Sequence, residues 1–308
     1  MKFIKFNIIA IVIFSSTIGV AQQLPQFTQY MYNTISINPA YAGSREVLSV
    51  VGLHRSQWVG FKGGPITQTL SVHTPLRNDR IGLGLSLIED DLGPQNFTYL
   101  YGDFAYNIPT GRNGKLAFGL KAGFTQFSFD TNFRLDEDNQ NDPLIYGTED
   151  RWSPNIGAGV YWSTNRVYAS LSAPRILNNG SNNNRSFEAL DNISYYFTAG
   201  GVIDLTKSIK FKPATLIKAT NGAPVSYDLT ANFLFSEKFW IGGSYRINER
   251  TAAIGGIVDF QLSRQLRVGY AYEKPTSEIA DYTTGTHEIL LMYEFKFLSS
   301  KLKSPRYF

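Results

Sequence analysis

Along residues 291–297 apolar and charged positions alternate without a break: Leu291, Tyr293, Phe295 and Phe297 fall on one side, Met292, Glu294 and Lys296 on the other. Successive side chains of a strand point to opposite faces. Gly285–Phe297 therefore reads as a strand with one aromatic, apolar face and one charged face. At the edge of an open sheet such a strand would leave a row of unpaired N–H and C=O groups; in a closed barrel it pairs with the first strand and no edge remains. The same alternation, bounded by turn residues, recurs through the chain from Val47. It predicts strands at Val47–Gln57, Ile66–Thr74, Arg80–Glu89, Gln95–Ile108, Lys115–Asp130, Ser153–Ser163, Arg166–Ala173, Asn192–Leu205, Ser208–Ala219, Val225–Phe235, Phe239–Ile247, Arg250–Leu262, Gln265–Glu273 and Gly285–Phe297. Ser208–Ala219 is the least regular of these, because Pro213 has no N–H to give a ladder that has no edge.

An even number of strands places both ends of the wall on one side, as an antiparallel outer-membrane barrel requires. Connection lengths supply a second criterion, since such barrels have short periplasmic turns and longer external loops. With the N-terminus periplasmic, the four longest connections, Trp58–Pro65, Thr131–Trp152, Pro174–Asp191 and Lys274–Thr284, all fall on the external side. Most predicted strands run about 9–13 residues, long enough to cross a bilayer at the usual tilt. Tyr99, Tyr101, Tyr106, Tyr161, Trp162, Tyr168, Trp240, Tyr270, Tyr293 and Phe297 lie near strand ends and are expected to form interfacial girdles, with plain packing the alternative for each. The fold class expected is all-β, a transmembrane antiparallel barrel of about fourteen strands.

The segments outside the wall have other compositions. Met1–Ala21 has Lys2 and Lys5, an apolar run from Ile8 to Phe14 and a small-residue end at Gly19-Val20-Ala21, the plan of a cleaved secretory signal. Residues 22–46 hold two prolines and four Tyr or Phe without sustained alternation, and are expected to pack inside or beneath the barrel or to hang as a periplasmic linker. Residues 47–297 form the barrel, and 298–308 a basic periplasmic tail. A barrel of this size falls between those filled by side chains and open porins, so its lumen holds water or a plug. Residues 22–46 and the insert Pro174–Asp191 are the candidate plugs.

Composition narrows the chemistry. With no cysteines, there is neither a disulfide framework nor a thiolate metal site. The formal charge of +4 falls to +2 without Lys2 and Lys5, too balanced for a nucleic-acid partner. Asp136, Asp138 and Asp142 alternate in an acidic loop, but Asn141 stands where a calcium loop would place its glycine, so no metal is expected there. His54, His73 and His287 lie in separate strands with no metal-ligand spacing. Ser71 near His73 and Glu288 beside His287 are chance neighbours rather than a triad, and no phosphate-binding or nucleophile motif is present. No catalytic residue and no cofactor is expected. The inward charges Lys121, Arg267, Glu273, Glu294 and Lys296 are mixed in sign, which favours pairing with one another or with a plug over a selective pore.

One stretch carries more than periodicity. Gln29-Tyr30-Met31 and Asn38-Pro39-Ala40-Tyr41-Ala42-Gly43, followed by Trp58-Val59-Gly60, Pro65 and Thr67, resemble the opening of the PorP/SprF family, and Ser304-Pro305-Arg306-Tyr307-Phe308 resembles its ending. Tyr32 and Thr34 depart from the usual form of that opening. The resemblance implies an outer-membrane barrel of the Bacteroidetes type IX secretion system, non-enzymatic and linked to gliding motility in some members. It implies as partners a secreted cargo bearing a type IX C-terminal domain, such as an adhesin, together with periplasmic or outer-membrane components of the machinery. It assigns no partner-binding residues. A diffusion porin or solute transporter, and a structural link to periplasmic partners, are the alternatives.

Overall fold

The structure is a computed structural model that describes residues 25–77, 79–130, 151–177, 192–248, 252–295 and 307. The segment expected to be a signal, Met1–Ala21, the acidic loop with Asp136–Asp142, most of the insert at 174–191 and most of the tail lie outside the described residues.

The wall is one antiparallel sheet closed on itself. Its strands are β1 (Leu48–Val59), β2 (Ile66–Pro75), β3 (Ile81–Leu92), β4 (Gln95–Thr110), β5 (Gly114–Phe129), β6 (Arg151–Ser163), β7 (Val167–Ala173), β8 (Ser194–Gly201), β9 (Ile203–Asp204), β10 (Ile209–Thr220), β11 (Ser226–Phe235), β12 (Phe239–Ile247), β13 (Ala252–Gln261), β14 (Leu266–Pro275) and β15 (Gly285–Phe295). Strands adjacent in sequence pair with one another, apart from β8 and β9, and β15 closes on β1 from Leu48↔Phe295 to Val59↔Gly285. Strands β8 and β9 are successive pieces of one stave, both paired to β10, so the barrel has fourteen staves, as alternation predicts.

The interruption in that stave has a local cause. β10 pairs Ala214 with Gly200 on one side of the gap and Phe211 with Ile203 on the other, in unchanged register. The two unpaired β10 positions are Lys212 and Pro213. Pro213 has no N–H to donate to the carbonyl of Gly201, which the register places opposite it, while on the other edge of the stave the Val202 N–H continues the β7 ladder to the Arg166 carbonyl at 2.7 Å. Pro213 thus weakens one edge of β10 without removing the strand, and it keeps its pairing with Ala231 of β11.

The barrel is inside-out relative to a soluble protein. Large apolar side chains in mid-strand are bare on the outside, among them Leu120 (63% exposed), Leu171, Ile254 and Leu291 (52%). Inward positions are buried and polar, including Arg55, Asp103, Lys121, Lys212, Lys218, Asp259, Arg267, Glu273, Glu288 and Glu294. An apolar band facing outward around a polar interior is what a lipid-exposed barrel requires. No helix among the described residues is long and apolar enough to cross a membrane; the crossing is made by strands.

One expectation needs correcting. Tyr99, Tyr101, Tyr161, Tyr168 and Trp240 are buried and face inward, whereas Tyr106, Trp162, Tyr270 and Tyr293 are exposed on the lipid side. Strand phase separates the two sets: Tyr99 and Tyr101 flank the outward Leu100, so they must turn the other way. Only the second set can form a girdle. Phe297 lies outside the described residues.

Candidate functional site: the occupied lumen

Residues 25–46 lie inside the barrel. The segment is mostly turns with two short 3-10 pieces, Thr34–Ser36 and Pro39–Tyr41. It starts near the rim that carries the long loops, where the Gln26 amide donates to Asp228, and descends to the short-turn rim, where it enters β1. Phe27, Tyr30, Met31, Tyr32, Ile35, Ile37 and Tyr41 are all buried. Each such side chain withdrawn from water contributes about 1.5–3 kcal/mol to seating the segment.

The Asn38–Gly43 stretch is where segment and wall come closest. The Asn38 side chain caps the turn by accepting from the Ala40 N–H at 2.9 Å and donates to the Val160 carbonyl at 3.1 Å. Three wall glycines make room for the motif. A Cβ on Gly159 would stand 2.2 Å from Asn38 Oδ1, one on Gly119 2.1 Å from the Ala40 nitrogen, and one on Gly82 2.0 Å from the Ala42 carbonyl oxygen. Gly43 answers Gly82 from the other side: its φ is +73°, and a Cβ there would sit 2.8 Å from Gly82 Cα. Its N–H donates to His73 Nδ1 at 3.1 Å, and Tyr41 packs edge-on against His73 and Tyr161.

These contacts predict that Gly119→Val unseats the motif while the wall survives. The atoms in the way are backbone, and overpacking of this kind costs about 1–3 kcal/mol. Trypsin should then cut after Arg45, which is buried in the native lumen, as read by mass spectrometry of the fragments. Gly102→Val on the lipid face, with nothing nearer than 3.9 Å, should leave Arg45 protected. Equal protection in both variants would refute the seating described here.

Charge binds the segment at three further levels. Toward the loop rim, Glu288 accepts from the Thr28 N–H at 2.9 Å, the Gln29 N–H at 2.7 Å and Arg55 Nη1 at 3.0 Å. Arg55 also reaches Glu273 at 2.9 Å, and Arg246 bridges Glu273 at 3.2 Å to Asp228 at 2.5 Å, returning to Gln26. Nearer the short turns, Arg45 of the segment pairs with Glu294 of β15 at 2.5 Å. Tyr32 lies between the cations of Arg267 (4.9 Å from its ring) and Lys212 (5.5 Å), and its hydroxyl donates to Asp259 at 3.0 Å. At mid-height Lys121 pairs with Asp103 at 2.7 Å and donates to the Ile35 carbonyl at 3.3 Å. Such charges are tolerable in a lumen only because each meets an opposite charge or a hydrogen-bond partner.

The signature residues fall as follows. Gln29, Tyr30, Met31, Asn38, Pro39, Ala40, Tyr41, Ala42 and Gly43 are all buried in this segment. Of the terminal five only Tyr307 is among the described residues. Its carbonyl accepts from Lys212 and its ring lies 5.6 Å from Lys210 Nζ, at the short-turn mouth of the lumen. The first residues of the insert at 174–191 also turn inward: Arg175 is buried with its guanidinium 4.7 Å from the Tyr99 ring, and Asn155 binds the backbone of Ile176 and Leu177. His73 alone among the histidines faces the lumen; His54 bonds Ser56 on the outside, and His287 bonds the Tyr270 hydroxyl. Among the described residues no group of His, Asp and Glu side chains could hold a metal ion. Sequence reasoning missed Tyr32, whose role depends on cations from two distant strands, and the wall glycines, which carry no signal of their own.

Three comparisons bear on this arrangement. A family model for the type IX secretion system membrane protein PorP/SprF matches residues 19–293. Among solved structures, the CymD monoaromatic hydrocarbon channel is similar with a TM-score of 0.51 at 12% identity, covering 91% of this chain and 95% of its own. The Acinetobacter baumannii outer membrane protein Omp33 gives 0.47 at 11%, covering 81% and 98%, and the KdgM porin 0.39 at 9%, covering 80% and 99%. The first of these shares the barrel fold. No curated protein matches the chain.

Proposed function

We propose, on the premise that the chain belongs to the PorP/SprF family of type IX secretion system membrane proteins, that it acts in the outer membrane as a docking barrel that helps export cargo or hold it at the cell surface. In this reading the short turns face the periplasm and the long loops face outward. The cargo bears a type IX C-terminal domain, as a gliding adhesin does, and engages the loop rim. The protein works by binding, without catalysis. The observation that carries the reading is the lumen occupied by residues 25–46: a porin or solute channel needs an open path, and here the inward positions are buried against the chain's own segment.

The test is a tagged pull-down from detergent-solubilised outer membrane, with mass spectrometry of the co-purified proteins. A dominant large protein ending in a type IX C-terminal domain supports cargo docking and identifies the cargo. Periplasmic machinery alone would replace it with a structural link between the outer membrane and that machinery. No specific partner, together with steady ion conductance, would replace it with a porin.

A further inference from the structure

The short-turn rim carries a pattern that the occupied lumen does not explain. Each of its six turns presents a basic residue: Arg77 between β2 and β3, Arg112 between β4 and β5, Arg166 between β6 and β7, Lys207 between β9 and β10, Lys238 between β11 and β12, and Arg264 between β13 and β14. All six are exposed. Within five residues of each stands a large exposed apolar side chain on the lipid side: Leu76, Ile108, Trp162, Leu205, Phe239 and Leu262 respectively. The pairing of one outward apolar residue with one cation of the adjoining turn therefore repeats around the circumference.

Three acidic side chains at this rim are engaged by cations, Arg166 among them, while Asp79 shares the β2–β3 turn with Arg77. Glu46 pairs with Lys115 at 2.6 Å, and Asp204 is held between Arg166 at 2.5 Å and Lys210 at 3.1 Å. Glu237 lies 3.8 Å from Lys210. Among the described residues the loop rim shows no such collar: its exposed charges include Glu89, Asp91, Asp130, Glu278 and Asp281 beside Lys62, Arg151 and Lys274.

We infer that the short-turn rim is a collar of binding sites for phospholipid headgroup phosphates, with Arg77, Arg112, Lys207, Lys238 and Arg264 as the phosphate ligands. Apolar neighbours set the height of each site. With Leu76 or Leu262 in the acyl region, a long cationic side chain reaches the phosphate level of that leaflet. Arginine offers a fork suited to phosphate oxygens and lysine a point charge. The distribution argues for lipid over a protein partner, since lipid surrounds a barrel on all sides whereas a protein partner covers one sector of it. The inference concerns the rim alone and stands whether or not the cargo reading holds.

Native mass spectrometry of the detergent-purified full chain, titrated with phosphatidylglycerol or with phosphatidylcholine, tests it. The expected result is several phosphatidylglycerol molecules retained at about tenfold lower lipid concentration than phosphatidylcholine. The preference should collapse in high salt, which screens exposed charges. The variant R77Q/R112Q/K207Q/K238Q/R264Q, which spares Arg166 and its partner Asp204, should lose the preference while keeping its heat-modifiable migration in gels. The salt dependence of the wild type remains a test should that variant fail to fold. The collar is overturned if the wild type binds both lipids equally, if the folded variant keeps the preference, or if inorganic phosphate at constant ionic strength displaces the lipid. Displacement of phosphatidylglycerol by a co-purifying acidic protein would also overturn it.

Discussion

Wild-type barrel reconstituted in planar bilayers is expected to pass no steady current, and the same barrel lacking residues 25–46 is expected to conduct. Fourteen staves enclose more space than their own side chains fill, since about eight strands already make a filled interior and about sixteen an open channel. In this molecule the difference is made up by Phe27, Tyr30, Met31, Tyr32, Ile35, Ile37 and Tyr41, all buried against the wall. Deleting them leaves a lumen lined by Arg55, Lys121, Lys212, Asp259 and Glu288, which water would hydrate at once. The wall itself should persist, because every stave pairs on both sides without help from the segment. Heat-modifiable migration of the deletion variant checks that it has folded before any current is read. Gly119→Val should give intermittent openings, as a segment displaced at one contact but still held by Glu288 would. A wild type that conducts steadily, or a folded deletion variant that stays silent, would remove the basis for reading this barrel as a docking protein.

The parts of this architecture that were legible in sequence are those with a local period. Strands of period two cannot hide; Pro213 marks Ser208–Ala219 as the irregular strand, whereas that strand runs unbroken and the gap falls in the stave beside it, between β8 and β9. Met292 and Glu294 turned inward and Leu291, Tyr293 and Phe295 outward as the alternation required. What local pattern does not encode is which distant residues converge. For Tyr99 and Tyr161 nearness to a strand end suggests a girdle, but their phase relative to Leu100 and Trp162 decides the face, and it turns them inward. The seating of Asn38–Gly43 depends on Gly82, Gly119 and Gly159, three residues of β3, β5 and β6 whose common property is the lack of a Cβ at one height of the barrel. A glycine in a strand signals a close approach but not what approaches. The mixed signs of Lys121, Glu273 and Glu294 indicated pairing; that Glu294 would meet Arg45 and Glu273 both Arg55 and Arg246 follows only from closing the cylinder. Lys296 lies outside the described residues.

The largest single-residue cost in the lumen is expected from Glu288→Ala. Its carboxylate gathers two backbone N–H groups of the segment and one guanidinium, and it is almost wholly screened from solvent, as is Arg55. Removing it orphans the Thr28 and Gln29 N–H groups and leaves Arg55 with the Thr28 hydroxyl and with Glu273, a carboxylate that Arg246 already shares. Breaking a buried pair by removing one partner typically costs about 3–5 kcal/mol, because the remaining charge stays desolvated. Glu288→Gln should cost less, since its amide oxygen still accepts from one N–H. The contrast is Glu46→Ala at the rim: the Lys115–Glu46 pair is shorter, at 2.6 Å against 3.0 Å for Arg55–Glu288, but its side chains are 43% and 39% exposed, and such pairs contribute about 0–1 kcal/mol. Urea unfolding in detergent micelles compares the three variants, and hydrogen exchange at Thr28 and Gln29 locates the damage. If the Glu288→Ala midpoint falls no further than that of Glu46→Ala, or the two amides stay protected, the network is not what holds the segment. A double-mutant cycle between Arg55 and Glu288 then apportions the loss: strong coupling assigns it to the ion pair, and weak coupling to the backbone N–H groups, which meet Glu288 whether or not Arg55 is present.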